Sequence, residues 1–120
     1  MIQRLSAITL AVRDMSTAVS FYATFGFAIV YGGREATFTS LRMGEAFVNL
    51  ILRPDYMPAW WGRVIFYVED VDALYQAITK QGLTPANPPR DASWGERFFH
   101  IVDPDGHELS FAKPLAPSSP

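Results

Sequence analysis

Two stretches of the chain repeat one pattern of apolar and polar positions. "AVRDMSTAVSFYATFGF" begins at Ala11 and "YVEDVDALYQAITKQGL" begins at Tyr67, an offset of 56 residues. An alternating strand pattern leads into each: Ile8, Leu10 and Val12 in the first, Val64, Phe66 and Val68 in the second. Each then reaches an aspartate, Asp14 or Asp70, whose carboxylate suits a helix N-cap because it accepts a free backbone N–H of the first turn. Apolar residues follow at helical spacing: Met15, Ala18, Tyr22 and Phe25, then Val71, Leu74, Tyr75 and Ile78. Gly26 and Gly82 supply the left-handed conformation that ends a helix. Short β-like runs come next, at 27–32, 36–42 and 46–52 in the first half and at 84–87, 97–102 and 107–112 in the second. Each half therefore predicts strand–helix–strand–strand–strand. "RPDYMPAWWGR" reads as the linker between the two.

The last two runs flank "DPDG", residues 103–106, which has the composition of a type I turn with Gly in the left-handed place. A three-residue loop with a bulge sets Asp103 against His107, Ile101 against Leu109, His100 against Ser110 and Phe99 against Phe111. One face then carries Phe99, Ile101, Leu109 and Phe111; the other carries Phe98, His100, Val102, Glu108 and Ser110. A four-residue loop would put His100 among the apolar residues, so the bulged register is the expected one. In it, Asp103 and Asp105 are turn formers. His107 is expected as a solvated turn residue.

Composition narrows the function classes. The 120 residues suffice for one domain with a sizeable core, and 49% of them are hydrophobic. The formal net charge is −2, and no run of Lys or Arg interleaves with aromatics, so nucleic acid is not an expected partner. Without cysteine there is no disulfide, thiolate metal site or cysteine nucleophile, which fits a cytoplasmic protein. No stretch reaches the roughly 18 apolar residues that span a bilayer, and the apolar N-terminus reads as a first strand rather than a signal peptide. Residues 114–120 are expected to form a flexible Pro/Ser tail. No nucleophile–base pair, phosphate loop or carboxylate dyad is legible, so no catalytic residue is assigned.

A duplicated βαβββ unit with Asp-capped helices and a terminal "DPDG" hairpin resembles the vicinal oxygen chelate superfamily, which holds glyoxalases, bleomycin-resistance proteins and extradiol dioxygenases. The resemblance runs from about residue 3 to 113, through "VRDMSTAVSFYATFGF", "VEDVDALYQAITKQG" and "WGERFFHIVDPDGHELSFAKP". It implies an α+β fold in which two modules, about 1–55 and 56–113, pair into an open barrel-like cup with helices on the convex face. It also implies a homodimer. Many members hold a divalent metal through His, Glu or Gln at four strand positions, and here those positions read Ala7, Asn49, Arg63 and Ser110. An alanine offers no lone pair, and a guanidinium offers five donors and a fixed positive charge. No metal and no cofactor are therefore expected, and the likeness is nearer to the metal-free bleomycin-resistance branch.

Strand alternation then lines the expected ligand pocket with Ala7, Thr9, Phe47, Asn49, Arg63, Ile65, Tyr67, Phe98, His100, Glu108 and Ser110, with Trp60, Trp61 and Trp94 at its rim. A mostly apolar concavity with a few polar groups suits a small molecule. Arg63 reads either as a salt-bridge partner of Glu108 or as a clamp for an anionic ligand. The tryptophans read either as packing groups or as stacking platforms. The expected function is metal-independent binding of a small, partly aromatic molecule, as in antibiotic sequestration. Two alternatives stay open: a lyase, isomerase or dioxygenase recruiting metal through His100 and Glu108, and a non-catalytic interaction module.

Overall fold

A computed structural model describes residues 1–116 and divides the chain into two compact units, Met1–Ala59 and the chain from Trp60 onward. The division falls within the expected linker, a few residues beyond the anticipated boundary.

The first unit runs β1 (Ala7–Val12), α1 (Met15–Thr24), β2 (Ala28–Tyr31), β3 (Phe38–Met43) and β4 (Ala46–Leu52). The second runs β5 (Arg63–Tyr67), α2 (Val71–Lys80), β6 (Arg90–Asp91), β7 (Glu96–Val102) and β8 (Glu108–Pro114). Both are βαβββ modules, and the fold is α+β as expected. The two helices begin and end at the repeat offset of 56 residues. Asp14 accepts the Thr17 N–H at 2.9 Å and Asp70 accepts the Ala73 N–H at 3.0 Å, so both predicted caps form. Gly26 (φ 87°) and Gly82 (φ 92°) end the helices in the left-handed region.

Each module builds one open, mixed four-stranded sheet rather than a closed barrel, in the order β1-β4-β3-β2 and β5-β8-β7-β6. The first and last strands of each module lie parallel, in equivalent registers. Ala7 pairs with Phe47 and Thr9 with Asn49; Arg63 pairs with Glu108 and Ile65 with Ser110. Leu10, Val12, Leu41, Val48 and Leu50 are buried in the first module, where α1 packs on β4. In the second, Phe66 stacks on Phe111 at 5.2 Å, Phe111 on Phe99 at 5.5 Å, and Tyr75 of α2 meets Phe99 edge-on. Strand alternation leaves the other face of each sheet without a helix.

Two expectations are corrected here. The strand expected at 84–87 does not form, and β6 pairs only at Arg90 and Asp91, opposite Phe98 and Arg97. Pro85, Pro88 and Pro89 remove the donors a longer ladder needs. The segment still follows β7 through two bonds, Ala86 N–H to the His100 carbonyl and His100 N–H to the Asn87 side chain. At the C-terminus, β8 includes Pro114, and Leu115 donates its N–H to the Gly95 carbonyl at 2.9 Å, so the sheet reaches into the expected tail. Residues 117–120 lie outside the described residues. Among the described residues, no helix is long and apolar enough to cross a membrane.

Candidate functional site

The "DPDG" turn takes the bulged register. The Asp103 N–H donates to the His107 carbonyl, Gly106 N–H donates to the Asp103 carbonyl, and His100 faces Ser110. One carboxylate oxygen of Asp103 accepts the N–H groups of Asp105 (2.8 Å) and His107 (2.9 Å). These local bonds fix the turn. The expectation for His107 is corrected: it is only 2% exposed, and its Nδ1 accepts the Trp61 indole N–H at 2.8 Å. The indole lies edge-on to the imidazole at 5.7 Å, so a residue of the linker covers the turn. A turn sequence alone does not reveal that cover.

On the first sheet, Ala7, Thr9, Phe47 and Asn49 occupy the face opposite the buried positions. Asn49 donates to the Thr9 hydroxyl at 3.4 Å, and the Arg42 guanidinium lies over the Phe47 ring at 5.9 Å. This face is largely uncharged, with one cation at its margin.

The second sheet is richer in chemistry. Arg63 donates to Glu108 at 2.7 Å, which joins two expected pocket residues and neutralises both. Phe98 is buried beneath three groups: the His100 ring at 4.7 Å, the Trp94 ring at 5.4 Å and the Arg90 guanidinium at 5.1 Å. Ser110 is buried, whereas Ile65 and Tyr67 are exposed. Burial pushes the His100 pKa below its ordinary value, and the nearby Arg63 charge adds to this, against a smaller opposing effect of Glu108. His100 is thus held toward its neutral form, and its buried Nδ1 has no hydrogen-bond partner among the described residues. Trp60 is exposed in the linker, and Trp61 is committed to His107.

Two residues near this face were missed by sequence reasoning. Arg90 was overlooked because its strand was placed too early. Glu96, the first residue of β7, accepts the Tyr67 hydroxyl on one oxygen and the Trp94 indole N–H on the other at 2.9 Å. Its alternation with Phe98 and His100 was the available signal.

The donor set does not fit the divalent ion that many relatives of this fold hold. Ala7 has no ligand atom, Asn49 and Ser110 offer neutral oxygens, and Arg63 brings a cation already bonded to Glu108. Among the described residues, no three His, Asp or Glu side chains converge as metal ligands do.

Two modules of this topology, with a helix-free face on each sheet, define the class, and comparison with known proteins agrees. The model of the Glyoxalase/Bleomycin resistance protein/Dioxygenase superfamily matches residues 4–111, and the chain belongs to this family. Among relatives, a bleomycin resistance protein of Geobacillus stearothermophilus is 31% identical over 85% of this chain and 90% of its own. A second, of Klebsiella pneumoniae, is 28% identical over 78% of this chain and 79% of its own. Among solved structures, a bleomycin-binding protein in complex with bleomycin matches with a TM-score of 0.76 and 26% identity, covering 93% of this chain and 98% of that one. These relatives fall in the bleomycin-resistance-like branch.

Proposed function

We propose that this protein binds and sequesters a small, partly aromatic molecule without a metal and without chemical turnover. The observation that carries this reading is the side-chain set at the four positions where relatives of this fold ligate metal. Ala7, Asn49, Arg63 and Ser110 cannot together hold a hard cation, and Arg63 is satisfied by Glu108. What remains on the helix-free faces is aromatic and apolar surface with a few fixed polar groups, as small-molecule sites have. Ala7, Thr9, Phe47 and Asn49 line one face; Arg63, Ile65, Tyr67, Phe98, His100, Glu108 and Ser110 line the other, with Trp94 and Trp60 offering stacking surface. The similarity to bleomycin resistance proteins makes bleomycin the first ligand to try. A homodimer is part of the reading, because Ile29, Val30 and Tyr31 of β2 leave an apolar strand exposed apart from the ligand-lining residues. A cytoplasmic setting fits the lack of cysteine.

A thermal-shift screen with bleomycin and planar aromatic antibiotics tests the function. Specific binding raises Tm with ligand concentration, following RT ln(1 + [L]/Kd). Static light scattering on the same protein is expected to give twice the chain mass. Stoichiometric uptake of zinc, manganese, nickel or iron, lost in His100→Ala, would sink the metal-free reading.

A further inference from the structure

Glu96 differs from the three carboxylates of its module that hold a guanidinium. Glu108 holds Arg63, while Asp72 and Asp91 share Arg97. Among the described residues, Glu96 receives two donors, both neutral: the Tyr67 hydroxyl and the Trp94 indole N–H. The guanidinium nearest along the strand, that of Arg97, is committed to Asp72 and Asp91, and Arg90 lies over Phe98 instead of forming an ion pair. A carboxylate has about four lone-pair directions, so Glu96 keeps acceptor capacity after both bonds.

Its two partners are aromatic and open to solvent: Trp94 is 65% exposed and Tyr67 is 64% exposed. Trp94 is placed by the hairpin that joins β6 to β7, where Ala92 N–H donates to the Glu96 carbonyl and Gly95 (φ 93°) closes the turn. The indole tilts onto Phe98, which fixes its plane beside the carboxylate. The hydrogen bond to Glu96, more than burial, pushes the Tyr67 pKa above its ordinary value. An oriented carboxylate with no cationic partner among the described residues, bounded by aromatic faces, is a receptor for positive charge.

We propose that Glu96, aimed by Tyr67 and Trp94, selects ligands that carry a cationic group on or beside a planar ring. The assignment rests on the reading that this face binds a planar small molecule. It gives Tyr67 and Trp94 two roles: the ring edge of each orients Glu96, and the ring face of each meets the ligand.

The test compares two planar tricycles of similar size, proflavine, which is a cation at pH 7, and acridone, which is neutral. Wild-type protein is titrated with each by fluorescence at low and high sodium chloride. It is expected to bind proflavine more tightly, and that preference is expected to shrink with salt. Glu96→Gln keeps a hydrogen-bond acceptor but removes the charge, and is expected to weaken proflavine about 3- to 10-fold while leaving acridone unchanged. Tyr67→Phe is expected to produce a smaller loss of the same selectivity, with Tm checked for both variants. If Glu96→Gln leaves proflavine unchanged, or weakens both compounds equally, the role given to Glu96 is wrong and the ligand-binding face survives. If wild-type protein binds neither compound, the ligand-binding face fails, and the role of Glu96 with it.

Discussion

His100 and His107 lie seven positions apart in one hairpin and meet opposite surroundings. His107 is sealed under Trp61, and its Nδ1 is used as an acceptor. Trp61→Phe keeps most of the ring but removes the donor to that buried nitrogen. A loss of about 1–2 kcal/mol in urea unfolding is expected, because a buried polar group loses a hydrogen-bond donor that stands in for water. A free energy equal to that of the wild type would mean that the bond adds nothing. His100 carries its own pH signature. Its folded pKa is depressed, so the unfolded chain takes up the proton first as pH falls below the ordinary value of 6.5. Stability is therefore expected to decline as pH drops from 6.5 toward the lower folded pKa. In His100→Asn, denaturant titrations between pH 5 and 7 should show a flatter dependence; an identical slope would remove His100 as the cause.

At the scale of elements, local chemistry was readable wherever a backbone group is satisfied by a near neighbour. Both aspartate caps, both terminal glycines and the bulged "DPDG" register form where the chain signals them, since each depends on residues within about four positions. Asp70→Ala should therefore cost about 1 kcal/mol, measured by chemical denaturation, and Asp70→Asn should recover most of it. Equal losses for the two variants would argue against capping as the cause. Ile78, buried where α2 meets its sheet, is expected to cost more: Ile78→Ala should lose about 2–5 kcal/mol by the same measurement. β6 was misplaced for a definite reason. The repeat places a short β-like run at 84–87, but a strand also needs free N–H groups, and three prolines delay pairing until Arg90. Trp94 sits in a tight hairpin loop that its "SWG" sequence does encode, but the direction of its indole does not follow from that turn.

For the whole molecule, the duplication is the dominant fact. The same module is built twice, and its equivalent positions have diverged to different chemistry: Ala7 against Arg63, Phe47 against Glu108, Asn49 against Ser110. The first module keeps a nearly neutral face, and the second has acquired paired charges and an aromatic group around Glu96. Neither supplies a metal's ligand set. EDTA is accordingly expected to leave Tm unchanged, and one equivalent of zinc or manganese should shift it by no more than the scatter between repeats. A large rise with metal would require ligands other than those named here.

The sequence by itself determined the module, its repetition, the helix caps and the register of the last hairpin. Each of these follows from periodicity or from bonds between close neighbours. Tertiary structure decided which polar side chains meet. Trp61 finds His107 across 46 positions, Arg63 finds Glu108 across 45, and Tyr67 finds Glu96 across 29. Such partners are chosen by strand order and by which face each side chain takes, and those are settled only when the sheet is assembled.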